Sequence, residues 1–250
     1  MKKTYTIFKR ELKSYFVSPI AYIVLLVFTV LSGVFFFIYL QGFAQVQFDT
    51  RAQLFQQSFS LTEFVLQPYF GTISVLLLLI IPMLTMRLLS EEKKQHTSEL
   101  LFTSPIRVIN IVLGKYLASL ALFILMLLFS SMFVIVLYLK GNPDPGVILS
   151  GFMGLFLIGA SFLAVGLFAS SLSQNQIVSA VISFGLLLLF WIIGSSSDAE
   201  TSVVGYLSII NHLDNFIKGV VEVKDLVYYI SFIFFGLFLT HVVLDSERWR

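Results

Sequence analysis

The chain has 250 residues, of which 58% are hydrophobic and only 12% are Asp, Glu, Lys or Arg, and its mean hydropathy is +0.93. A soluble fold of this length has too little interior to hide so much apolar surface, so soluble-enzyme and disordered readings are excluded and the composition specifies a membrane protein. There is no Cys, which excludes disulfides and thiolate metal sites, and a net charge of +2 says less than where the charges lie.

The pattern predicts an all-α membrane protein with one transmembrane domain over 1–250. Residues 1–18 come first. Phe8, Leu12, Tyr15 and Phe16 fall on one helical stripe, while Lys9, Arg10 and Lys13 fall largely elsewhere. This predicts an amphipathic elbow helix at the cytoplasmic interface, its apolar face in the acyl boundary and its cations among the headgroups. Ordinary positively charged flanking sequence is the simpler alternative. Ser18-Pro19 breaks the helix and opens the first span, at about 20–40. That run is too long, and lies too far from the start, for a cleavable signal. An external loop, Gln41–Gln67, is polar but punctuated by Phe43, Phe48, Phe55 and Phe59. It is read as packing on neighbouring spans, with an extracytoplasmic partner as the alternative.

The second span covers about 69–89, and Pro82 inside it predicts a bend. Arg87–Arg107 follows, the densest charge cluster in the chain. Ser90 is read as the cap of a short helix starting at Glu91, with Glu91 and Glu92 in its favourable first turn. Lys93 and Lys94 supply the opposite sign, and Thr97–Leu101 supply an apolar edge. Such a helix suits docking on another protein; a solvated loop is the plainer reading. The third span, about 109–139, carries Lys115 in its first turns, where it is expected to snorkel. The fourth, about 146–172, contains Gly151, Gly154, Gly159 and Gly166 and is expected inside the bundle. The fifth covers about 177–194 and the sixth about 226–244. Between them, Leu207, Ile210, Leu213 and Ile217 share one helical face and Asp214 lies off it. This external segment, 203–224, either lies flat on the outer leaflet or re-enters the membrane.

Twelve of the 16 Lys and Arg residues lie before the first span, between the second and third, or after the sixth. The positive-inside rule therefore places both termini in the cytoplasm. No Asp or Glu lies mid-span, which argues against a proton-coupled carrier. The three His show no metal-ligand spacing, no catalytic constellation is visible, and no phosphate-binding G-x-x-x-x-G-K-[ST] occurs. Nothing points to nucleic acid.

The run EEKKQHTSELLFTSPI followed by IVLGKYLA resembles the first cytoplasmic loop of ABC-2 type permeases. It is similar in particular to the gliding-motility (GldF-like) and nitrous-oxide-reductase accessory (NosY-like) branch. Glu92, Lys93, Thr97, Glu99, Leu100, Leu101, Pro105, Gly114 and Lys115 match that pattern, while His96 stands where Gly is usual. FKRELKSYFVSPIAYI, LFASSLSQNQIVSA and the stretch from NFIKGVVEVKDLVYY to the C-terminus carry the likeness along nearly the whole chain. The resemblance implies a permease subunit in a bacterial cytoplasmic (inner) membrane, without cofactors of its own. ATP and Mg would be bound by a separate ABC ATPase subunit, docked on a coupling helix made of Glu91, Glu92, Lys93, Lys94, Thr97, Glu99, Leu100 and Leu101. It also implies a second permease protomer, and a re-entrant external segment over the gate. The GldF likeness adds an alternative function, a membrane anchor or force-transmitting subunit of a gliding-motility-like machinery with a GldG-like auxiliary protein. The cargo is not legible.

Overall fold

The computed structural model describes residues 2–48, 60–95, 107–141, 143–193 and 207–248. Every element among the described residues is helical, as hydrocarbon requires of a chain that must satisfy its own backbone. Helix α1, Lys2–Val17, ends at Ser18, and Pro19 opens α2, Pro19–Phe48. Proline at a first helical position loses no intrahelical bond, so the Ser-Pro pair separates the two. A π-helical turn, Thr62–Leu66, leads into α3, Gln67–Thr85. After Met86 the chain continues as α4, Arg87–Lys94. Then come α5, Val108–Lys140; α6, Pro145–Leu172; α7, Gln176–Ile192; α8, Ile209–Ile217; and α9, Val223–Arg248. Among the described residues, five stretches are long and apolar enough to cross a membrane: Pro19–Val46, Thr62–Lys94, Val108–Leu139, Pro145–Leu172 and Val223–Glu247. Helix α7, at 17 residues, is a shorter apolar helix.

The first two long helices reach further out than the sequence predicts. The segment read as a loop is helical through Phe48 and again from Thr62, and residues 49–59 lie outside the described residues. The cause is packing. Phe43 is buried and its ring lies 6.0 Å from that of Phe64, so apolar residues scattered through polar sequence extend two helices against each other.

Helix α6 is the shared neighbour of the bundle, packing on α3, α4, α5, α7, α8 and α9. Its glycines face different partners. Gly151 takes the Phe70 ring of α3, Gly159 the Phe123 ring of α5, Gly166 the Thr85 side chain of α3, and Gly154 the Phe216 side chain of α8. Gly236 of α9 returns the arrangement by meeting Ala164. Small residues let helices approach where no hydrophobic effect drives them together. Helices α2 and α9 form the periphery, exposing Ile23, Leu26, Val30 and Val34, and Val227, Ile230 and Phe234, which lipid solvates without cost.

Substitution Gly159→Val drives a side chain into the Phe123 ring and is expected to destabilise the bundle by about 1–3 kcal/mol. The check is loss of the monodisperse peak in size-exclusion chromatography, with Gly185→Ala, whose Cβ meets nothing within 4 Å, leaving the peak intact.

Candidate functional site: the buried charge junction

Helix α1 lies along the first turns of α5 because Gly114 leaves room for it. A Cβ at Gly114 would sit 2.7 Å from Ile7 Cγ2. Nearby, Thr4 Oγ1 donates to Asn110 Oδ1 at 3.1 Å. One residue past Gly114, Lys115 is 1% exposed. Its ammonium lies 3.0 Å from Glu92 Oε1 and 3.3 Å from Glu11 Oε1. The Arg10 guanidinium reaches the same two oxygens, at 2.8 Å from Glu11 and 3.0 Å from Glu92. Two cations and two carboxylates thus alternate at the meeting point of α1, α4 and α5. Lys115 does not snorkel; the two acidic partners make its burial tolerable, since a buried charge must be paired. Burial raises the Glu11 carboxyl, but Lys115 and Arg10 outweigh it and hold the group below the usual carboxylate range.

The end of α1 is fixed to the same region. Tyr15 is buried, the Arg87 guanidinium stands 5.3 Å from its ring centroid, and Arg87 Nη1 donates to Ser18 Oγ at 3.4 Å. Burial pushes the Tyr15 phenol up, against the opposing influence of Arg87. Of the predicted elbow residues, Tyr15 is therefore enclosed in protein, Phe8 and Phe16 pack against the core, and Leu12 is half-buried. The stripe faces protein as much as lipid.

Helix α4 is held from three further directions. The first N–H groups of a helix have no intrahelical partner, and here α6 supplies one. Leu89 N and Ser90 N donate to Ser170 Oγ at 3.0 and 3.1 Å, and Ser170 Oγ donates to Met86 O at 3.0 Å. Ser90 itself is no cap. It lies within α4, fully buried, its hydroxyl on the Met86 carbonyl. The expected helix starting at Glu91 is instead the last turn of a helix continuing from α3. Lys93 turns inward to the Ser171 carbonyl, at the C-terminal end of α6, and to Glu247 of α9, where the α6 dipole favours a cation.

The predicted docking residues thus divide. Glu92 and Lys93 are engaged inside the junction; Glu91 is half-buried and Lys94 exposed. Thr97, Glu99, Leu100 and Leu101 lie outside the described residues. A crevice of about 470 Å³ opens beside Glu91 and Glu92, lined by Ser14, Ser18, Arg87 and Gln95 among others.

At the far end of the bundle, α8 forms a hairpin with α9. Ser208 caps it, accepting from Asn211 N at 3.3 Å. Gly219, at φ 89°, turns the chain after it in the left-handed region that glycine tolerates. Asp225, fully buried in the first turn of α9, receives His212 Nδ1 at 2.6 Å and Asn215 Nδ2 at 2.9 Å. Tyr229 donates to the Ile209 carbonyl at 2.8 Å. Leu213 and Ile217 are buried, Ile210 is half-buried, and Leu207 and Asp214 are exposed, with Asp214 paired to Lys218.

Sequence reading missed both buried charge clusters, although each left a signal. Glu11 sits on the apolar stripe of α1, three residues after Phe8 and four before Tyr15. A carboxylate there demands a cation, and Lys115 is the lone cation in an apolar run. Asp225 lies between the predicted external segment, 203–224, and the predicted sixth span, about 226–244.

A family model for "ABC-2 family transporter protein" matches residues 5–241. No curated protein matches the chain. The chain therefore belongs to the ABC-2 transporter family, as a multi-pass membrane protein of the permease-subunit kind, and the family implies an ABC ATPase partner.

Two outcomes follow from the junction. Lys115→Ala removes the buried cation that pairs with Glu11 and Glu92 and should cost about 3 kcal/mol, read as a lower unfolding midpoint in detergent. Lys115→Met combined with Glu92→Gln should recover much of that loss, and an equal midpoint for wild type and Lys115→Ala would contradict the role. The Glu11 carboxyl is depressed in the folded chain, so its contribution is present at neutral pH and lost as pH falls below the ordinary carboxylate range. As pH falls from about 5 to about 3 the midpoint of wild type should fall more steeply than that of Glu11→Gln.

Proposed function

Taking ABC-2 membership as the premise, we propose that the chain is the permease subunit of an ATP-driven transporter in a bacterial cytoplasmic membrane. It crosses six times with both termini inside, α7 serving as the fifth crossing. A separate ATPase binds ATP and Mg and docks on the segment from Glu91 through Leu101. Its closure pushes α4, and two permease protomers rearrange to move the cargo. The motif likeness to the GldF-like and NosY-like branch supports the same architecture, with a GldG-like auxiliary protein as a further partner.

The observation that carries the reading is the attachment of α4. It continues α3, is ion-paired to α1 and α5 through Glu92, is capped by Ser170 of α6, and reaches α9 through Lys93. A force applied at its exposed end is distributed to five helices at once. Since each state must bind the ATPase differently for any coupling to exist, a rigid handle of this kind is what the task needs. At the opposite end, Tyr229 lies six residues, or about 9 Å, inside α9, and its bond to Ile209 sets the start of α8 at that depth. The geometry supports a re-entrant α8 that rises back to the surface at Gly219, in preference to a helix lying flat.

Docking through this segment is tested by Leu100→Glu, at a residue of the sequence-predicted docking run, and by Lys94→Glu, at an exposed residue that is not one of the junction pairs described above. Co-purification of the ATPase subunit should fall at least tenfold while the permease stays monodisperse. Undiminished co-purification with both variants would overturn the docking role.

A further inference from the structure

A groove runs along the outer flank of the elbow, between α1 and α5. Its volume is about 680 Å³ and its walls are Thr4, Tyr5 and Phe8 of α1 with Asn110, Leu113, Leu117, Leu120, Ala121 and Ile124 of α5. The α5 residues recur at helical spacing on one face. From Asn110 to Ile124 that face rises about 21 Å, more than half of a hydrocarbon core about 30 Å thick. The lining is apolar except at the cytoplasmic end, where Thr4 and Asn110 are bonded to each other. Leu117 and Ile124 are exposed, so the groove opens sideways to the bilayer.

Its setting points to the occupant: an apolar face about 21 Å long that opens sideways to the bilayer is covered by hydrocarbon. The charge at the mouth decides the headgroup. Lys9 follows Tyr5 by four residues and Lys13 follows Lys9 by four, so the three form one row on α1. Both lysines are exposed. Arg107, also exposed, precedes Asn110 by three residues at the cytoplasmic start of α5. No acidic residue lines the groove. The acidic Glu11, on the α1 stripe with Phe8, does not line the groove and is paired with Arg10 and Lys115.

We propose that α1 and α5 hold one resident anionic phospholipid, its acyl chain in the groove and its phosphate at the cations of Lys9, Lys13 and Arg107. The lipid fills the flank of the elbow that protein leaves open. It is a constituent of the cytoplasmic leaflet and not the cargo.

The test uses the full chain, purified in detergent and offered phosphatidylglycerol or phosphatidylcholine of identical chains, with bound lipid counted by native mass spectrometry. Wild type should retain one phosphatidylglycerol at a level at least fivefold above phosphatidylcholine. The triple variant Lys9→Gln, Lys13→Gln, Arg107→Gln changes charge without packing and should erase that preference. Leu117→Trp places bulk at an exposed position on the groove wall and should remove both lipids while the protein keeps its unfolding midpoint. Equal retention of the two lipids by wild type would overturn the proposal, as would a preference that survives the triple variant or a lipid count unchanged by Leu117→Trp. Disulfide capture of a second protomer by a single cysteine at position 121 would also overturn it, since the groove would then be a protein interface.

Discussion

A lysine ammonium enclosed in an apolar bundle leaves the chain little choice about what surrounds it. Lys115 is held on α5 next to the glycine against which α1 packs, and its charge must be matched within a few ångströms or the bundle does not close. The match comes from Glu11 on one helix and Glu92 on another, with Arg10 completing the pairing. Three segments distant in sequence are therefore tied at one point, on the side of the membrane where sequence places most of the positive charge. The placement of α1, the direction of α4 and the register of the first turns of α5 all depend on that point. So does the proposed mechanism, because a handle conveys motion only if it is joined to what it moves.

The two ends of the bundle solve a similar problem in similar ways. At one, a short amphipathic helix, α4, is fixed by Glu92 and Lys93 and capped by Ser170. At the other, α8 is fixed by His212 and Asn215 on Asp225 and by the Tyr229 hydroxyl. Both rest on α6, whose glycines accept neighbours from all sides. Polar bonds set orientation where apolar surface cannot, because lipid competes equally for every apolar face. The central helix supplies closeness and the buried charges supply register.

Much of this architecture is readable from residues alone. The apolar runs announce the long helices, Ser18-Pro19 announces the break after α1, and the glycines at 151, 154, 159 and 166 announce a central α6. Helix ends were harder to read. Phe43 and Phe64 extend α2 and the helix before α3 into sequence rich in Gln, because tertiary contact overrides polarity there. Ser90 has the composition of a cap, yet it lies inside α4, which continues from α3, and a serine from another helix supplies the capping oxygen, which no local pattern reveals. The buried pairs were hidden for a related reason. Hydropathy treats a charge near the edge of a span as exposed, and only the unexplained carboxylate on the apolar stripe of α1 hinted otherwise.

The central claim is that α1 and α4 move as one body during the ATPase cycle. It is tested most directly by electron-electron distance measurement between nitroxide labels at positions 13 and 95. The native chain has no Cys, so cysteines placed there are the sole attachment points. In the assembled complex, with the labelled chain diluted among unlabelled copies so that pairs within one protomer dominate, the account predicts one narrow distance distribution, the same without nucleotide and with ATP bound. A distance that shifts or splits when ATP binds would show the two helices moving independently and would contradict it.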